Sequence, residues 1–368
     1  MKIGSQSLAT CQHPRVTKFG WTARLALASF ARDKKGRQMG KFSGISGFFA
    51  ALLTAAAAQA ACEGRDLIAA MPPQERAALE AKADSQPFAQ GNLWQAERGP
   101  ERIILAGTYH LPDPRHEAML ARLTPLLPGV SQLLVEATPE EEARLQEEIA
   151  KRPDFMVITD GPRLSEQLTE AEWEKLSHEA QLRGIPAFMA DRFRPWYMAV
   201  LLGVPPCAMG DLKEGARGLD HQIMALAAER DIPLRALEGY DTLFSIFGEL
   251  SSEDETDMVR ASLLTAERPE DMTVTLANAY FAQESRLVWE FTRALSAGLP
   301  GMTPKELDRQ FGLMEEVLMT KRNERWIPVL LAAAKEGPLL AAFGALHLSG
   351  EKGVLKLLEG EGFEVRPL

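Results

Sequence analysis

Two stretches of this chain repeat one pattern, an apolar run that ends in Gly-x-x-His-Leu. The first is Ile103-Ile104-Leu105-Ala106 followed by Gly107-Thr108-Tyr109-His110-Leu111. The second is Leu339-Leu340-Ala341-Ala342-Phe343 followed by Gly344-Ala345-Leu346-His347-Leu348. Short apolar runs bounded by glycine read as buried strands, and a glycine ahead of each histidine lets the backbone turn sharply as it leaves the strand. One copy lies near the start of the mature chain and the other near its end. Two histidines in the same local setting predict a fold that assembles one site from both ends of the chain.

The rest of the pattern predicts an α/β fold: a central, mainly parallel sheet with flanking helices and a helical cap or insertion. Strands are expected at 102–106, 132–135, 185–189, 232–237, 339–343 and 362–366. The first two, joined by a helix near 116–127, form a β-α-β unit, whose crossover places the strands parallel and adjacent. His110 and Glu136 then lie just beyond the carboxyl ends of neighbouring strands, the edge where open α/β sheets build their sites. Thr138 with Glu141, and Thr169 with Glu172, have capping-box spacing at helix starts. Residues 217–230 read as a helix, and 240–335 as a helical insertion that covers the site edge. Residues 61–368 form a single domain on this reading, because the two motif halves must meet.

Charge and cysteines place the chain. Among its 368 residues the formal net charge is −10. Residues 1–60 carry nine Lys/Arg against Asp33, which leaves 32 basic and 50 acidic residues beyond them, a net −18. Such a surface repels nucleic acid and anionic lipid. The N-terminal 60 residues read as a signal-peptide region. Lys41 precedes an apolar run from Phe48 to Ala58, then Ala58-Gln59-Ala60 supplies an A-x-A cleavage site, and Met39 is the expected true start. The expected location is periplasmic or secreted, with a membrane tether as the alternative, and no transmembrane span is expected in the mature chain. The mature chain keeps Cys62 and Cys207. An even pair in an oxidising compartment reads as a disulfide, with two free buried thiols as the alternative.

His110, Glu136 and His347 are the first candidates for chemistry. Imidazole and carboxylate are the usual ligands of zinc or manganese in hydrolases, and the mature chain has five histidines in all. Glu136 ends the run Leu133-Leu134-Val135, where a carboxylate is costly unless coordinated or paired with an arginine. His178 and His221 read as helix-surface residues, and Trp326 as a packed helix residue. No HExxH helix, G-x-S-x-G elbow or P-loop is present.

These motifs together resemble the TraB/GumN family, which includes the TIKI proteases. The residues that carry the resemblance are Gly107-Thr108-Tyr109-His110, Glu136 after Leu-Leu-Val, Gly218-Leu219-Asp220, Leu237-Glu238, Arg322-Asn323-Glu324-Arg325-Trp326 and Gly344-Ala345-Leu346-His347. The resemblance runs from about Cys62 to the C-terminus. It implies a metal-dependent, protease-like hydrolase acting on a peptide or small acyl substrate. His110, Glu136 and His347 would hold a divalent ion (manganese, cobalt or zinc). Glu136, Arg322 and Arg325 would act in catalysis, the arginines by steadying an oxyanion. Asp220, Glu238 and Asn323 are second-tier candidates. A non-catalytic periplasmic protein that binds a peptide or saccharide in the same cleft is the alternative.

Overall fold

The computed structural model describes residues 62–213, 215, 217–298 and 302–368, so the expected signal-peptide region, with Met39 and Ala58-Gln59-Ala60, lies outside them. The strands are β1 (Leu93–Arg98), β2 (Glu101–Thr108), β3 (Gln132–Val135), β4 (Leu234–Ala236), β5 (Leu339–Gly344) and β6 (Glu364–Pro367). They form one sheet in the order β4-β3-β5-β2-β1-β6. The first four run parallel, whereas β1 is antiparallel to both β2 and β6.

One expectation about the sheet is corrected in an informative way. Strands β2 and β3 are parallel but not adjacent, because β5 is inserted between them. The reason lies in composition. Leu339 to Phe343 are at most 1% exposed, so this is the strand best suited to burial on both faces. Its insertion puts the second Gly-x-x-His loop between the first loop and Glu136.

Two other elements differ from expectation. Residues 185–189 are not a strand; Ala187–Ala190 is a short helix. Gly184 takes φ +78°, and the N–H of Ile185 bonds back to Ala180 O at 2.9 Å, closing the preceding helix (Glu170–Leu182). The apolar residues there cap a helix end rather than begin a ladder, and Phe188 is 75% exposed. Strand β1 is absent from the expected set because Leu-Trp-Gln-Ala-Glu-Arg has neither alternation nor β-branched residues. It is created by pairing with β2 on one side and β6 on the other.

Each sheet face buries its own core. On one, Ile103, Leu105, Leu134, Leu339, Ala341 and Phe343 pack against Trp326, Ile327, Leu330 and Ala333 of the helix Lys321–Glu336 and against Val354, Leu355 and Leu358. On the other, Ile104, Ala106, Leu133, Val135, Leu340 and Ala342 meet Met119 and Leu123 of the helix His116–Leu123 and Leu219, Ile223 and Ala227 of the helix Leu219–Ala228. Truncating a fully buried side chain such as Leu330 to alanine is expected to cost about 3 kcal/mol.

The helical part draws on two connections, β3–β4 and β4–β5. Leu164, Leu176, Met198 and Leu202 from the first share a core with Val259 and Leu263 from the second. Cys62 and Cys207 are disulfide-bonded, with Cα atoms 5.3 Å apart, which excludes the free-thiol reading. A cross-link between residues 145 apart in sequence limits the unfolded chain, a stabilisation of about 2–4 kcal/mol. No helix among the described residues is long and apolar enough to cross a membrane.

Candidate functional site

The four parallel strands deliver their side chains to one edge in spatial order. Leu237 donates its N–H to Val135 O at 2.7 Å just past β4, and Glu238 follows it. Glu136 follows β3, the turn Ala345–His347 follows β5, and His110 lies two residues past β2. In register, Thr108 pairs with Gly344 and Val135 with Ala342, so these departures are level.

Gly344 marks the point of convergence. A Cβ built there would lie 3.3 Å from Glu136 Oε1, 3.3 Å from His110 Nε2 and 3.6 Å from His347 Cδ2. The glycines of the two motifs are needed for close approach and not for a left-handed turn. Gly344 has φ −49°, and a Cβ on Gly107 would meet Ala345 Cα at 2.9 Å and Leu348 Cδ1 at 2.7 Å. The two loops therefore pack glycine to loop, each allowing the other in.

Helix Lys321–Glu336 brings the second set of groups. Arg322 Nη2 donates to Glu136 Oε2 at 2.7 Å and to Glu238 Oε1 at 2.5 Å, and Nε donates to Glu238 at 3.0 and 3.1 Å. Its Nη1 donates to Leu318 O at 3.3 Å and to His347 Nε2 at 3.2 Å. All five N–H bonds of the guanidinium thus have acceptors within the protein. The guanidinium is held between two carboxylates and the His347 ring. Arg325, three residues on, is exposed and does not line the cavity.

The second histidine is held tightly. Asn323 Oδ1 accepts from His347 Nδ1 at 2.6 Å, and Asn323 Nδ2 donates to Lys352 O at 2.8 Å. Trp326, which the sequence marked only as a packed helix residue, donates its indole N–H to Glu238 Oε2 at 3.0 Å and lies 4.5 Å from the His347 ring. A tryptophan four residues after an arginine on one helix face was the available signal. Burial drives His347 down to about 3, against the pull of Glu136, so the ring is neutral at pH 7. Its Nε2 lone pair then accepts the N–H of Arg322. Burial opposes ionisation of Glu136 too, but Arg322, His110 and the Gly344 N–H (2.6 Å to Oε1) outweigh it and hold the carboxyl down at about 2.

The first histidine sits differently. His110 is 61% exposed at its side chain, and Asp220 Oδ2 stands 3.7 Å from Nδ1. Asp220 gets there because Gly218 lies against the His110 backbone, where a Cβ would come within 2.2 Å of the carbonyl oxygen. Leu219 N–H then bonds to Tyr109 O at 3.0 Å. Asp220 raises the His110 pKa, with burial working against it. His221, read from sequence as an isolated surface residue, lies 3.0 Å from the same carboxylate oxygen of Asp220 and 3.6 Å from Glu142.

These groups close the polar end of a cavity of about 380 Å³ whose other walls include Leu276, Tyr280, Val288, Trp289, Leu318 and Met319. Leu318 and Met319 come from a π-helical turn, Glu316–Thr320, that leads directly into Arg322. Among the described residues no three His, Cys, Asp or Glu side chains already stand at metal-ligand spacing. The donor types nonetheless suit a divalent ion. Two imidazoles and a carboxylate meet over Gly344, Nδ1 of His347 is fixed by an amide, and Glu136 and Glu238 exceed Arg322 by one negative charge. The Arg322 contact on His347 Nε2 is the interaction that a bound cation would replace.

Fold and site together define an α/β protein with a histidine–carboxylate pocket at the carboxyl edge of its parallel strands. A family model described as the TraB/PrgY/gumN family matches residues 92–367, and the chain belongs to that family. No curated protein matches it.

Proposed function

We propose that this protein is an exported metal-dependent hydrolase acting on an acyl bond in a peptide or small acyl substrate. The observation that carries the reading is the approach of His110, Glu136 and His347 to one point above Gly344 from three different strands. His110, Glu136 and His347 would hold the ion. A divalent ion there supplies Lewis acidity toward a carbonyl and toward water.

The chain's own residues do the rest. Arg322 fixes Glu136 and Glu238 in place and helps to keep Glu136 ionised. Asn323 sets the His347 tautomer so that Nε2 is the free base. Asp220 orients His110, the most exposed of the three and the one that faces an incoming substrate. Tyr280 commits its hydroxyl to Gly107 O at 2.8 Å, so the wall behind the reacting carbonyl is apolar and sheds water. Export is supported by the Cys62–Cys207 disulfide and by the basic, apolar, A-x-A order of the N-terminal sequence.

The test is metal content. Protein made with its own N-terminal segment and recovered from the oxidising compartment should carry a stoichiometric divalent ion, and the His110→Ala/His347→Ala double variant should carry none. If neither binds zinc, manganese or cobalt after supplementation, the hydrolase reading falls and the non-catalytic binder takes its place.

A further inference from the structure

A second cavity of about 250 Å³ shares two walls with the candidate site, Trp289 and Leu318. Met258, Ala261, Phe311 and Met314 line its interior, and Val200, 48% exposed, sits at its rim. Its polar residues offer little to a ligand. Thr292 donates to Val288 O at 2.9 Å, Ser296 to Thr292 O at 3.0 Å and Ser262 to Ala199 O at 3.4 Å. Asp254 is taken by Arg309, Asp257 by Arg260 and Gln310.

A saccharide laid here would lose its water hydrogen bonds without replacement, and so would a peptide backbone. An unbranched apolar chain would lose none. The stretch leading back to the histidines is of the same kind, through Val288, Leu276 and Met319. Leu318 sits in the π-helical turn, a feature that recurs at functional sites.

We propose that the substrate is an acyl compound with a long unbranched apolar chain. Its carbonyl lies at the His110–Glu136–His347 end, and its chain passes Trp289 and Leu318 into the second cavity. The site chemistry rests on the hydrolase reading; the chain-binding cavity does not. In the reaction a water oxygen forms the new bond to the carbonyl carbon, the bond to the leaving oxygen or nitrogen breaks, and the leaving group takes a proton.

Two measurements on the full chain test this. The first is hydrolysis of 4-nitrophenyl esters from acetate to dodecanoate by the zinc-loaded protein. The expected result is a rise in kcat/KM of about two- to fourfold per methylene until the cavity is full. The second, independent of turnover, is binding of dansyl-undecanoic acid followed by fluorescence. Ala261→Trp, which fills the second cavity, should leave acetate hydrolysis unchanged and weaken dansyl-undecanoate at least tenfold. Val200→Asp, at an exposed position that tolerates a charge, should weaken it as well and serves if Ala261→Trp does not fold. Dansyl-undecanoate binding that both variants diminish, with no ester hydrolysed, would uphold the chain site and remove the hydrolase reading. Ester hydrolysis independent of chain length, or dansyl-undecanoate binding that neither variant changes, would overturn the acyl-chain proposal and leave the hydrolase reading standing.

Discussion

The two Gly-x-x-His loops share a sequence pattern and differ in almost everything the fold adds. His347 is 6% exposed, neutral, tilted against Trp326 and fixed at Nδ1 by Asn323. His110 is 61% exposed at its side chain, drawn toward the charged form by Asp220, and has its carboxylate partner at 3.7 Å rather than at hydrogen-bond distance. One loop is built into the core, and the other lies open over the cavity. A local motif therefore fixes where an imidazole leaves a strand; the elements packed around that point fix its charge and freedom. For the proposed shared site this division would be useful, with one imidazole preorganised and one able to meet a substrate.

The largest effect that would sharpen this contrast is at Arg322. Arg322→Met leaves Glu136 and Glu238 facing each other with no cation, and a loss of about 3–5 kcal/mol in urea unfolding is expected. A variant as stable as the parent would show that the buried loop does not depend on this network. Asp220→Asn, the corresponding change beside His110, should cost under about 1 kcal/mol because its partner is exposed.

Next in size are the histidines themselves. His347→Ala opens a gap against Trp326 and strands Asn323, so about 2–3 kcal/mol should be lost. His110→Ala should stay within about 0.5 kcal/mol. Both should abolish divalent-ion binding measured by calorimetry. Equal stability losses would erase the difference between the loops, and ion binding that survives either change would break the shared site.

Titration should separate the loops by sign in chelator-treated protein. His347 is depressed from 6.5 to about 3. Between those values the unfolded chain takes a proton that the folded chain refuses, so stability falls as pH falls through that window. His110 is raised, so its contribution is complete below 6.5 and fades as pH climbs through its folded value. Melting temperatures from pH 7.5 to 4.5 should therefore fall less steeply in His347→Ala than in the parent, and more steeply in His110→Ala. Parallel curves for all three proteins would contradict this assignment.

Gly344→Ala should cost only about 1 kcal/mol of stability, since the added methyl meets side-chain atoms at 3.3 Å. Its effect on ion affinity should be far larger, tenfold or more, because those atoms are Glu136 Oε1 and His110 Nε2. Gly107→Ala, which meets Ala345 backbone at 2.9 Å, should reverse the balance, costing more stability and less affinity.

Much of this arrangement was legible in the residues. Apolar runs bounded by glycine located β2, β3 and β5, and capping signals at Thr138 and Thr169 located two helix starts. The departures of His110, Glu136 and His347 from strand ends followed from strand length alone. Strand β1 escaped notice because its residues have little β-preference of their own, and the strand expected at 185–189 failed because apolar residues after a helix-closing glycine look like a strand start. Glu238 was noticed without its partners, since an ion pair between residues 84 apart leaves no local trace. In sequence Trp326 reads as a packing residue and His221 as a surface residue for the same reason.

The sequence by itself determined an α/β fold, the two histidine loops, the acid at the end of β3 and the presence of a pair of cysteines, Cys62 and Cys207. Periodicity, turn chemistry and composition are local properties, and these features are local. Only the tertiary structure decided that β5 lies between β2 and β3, that Arg322 binds both carboxylates, and that one histidine is buried and neutral while the other is open. Strand order and burial depend on which apolar surfaces find each other across the whole chain. That competition is settled by the free energy of the assembled core, not by any segment within it.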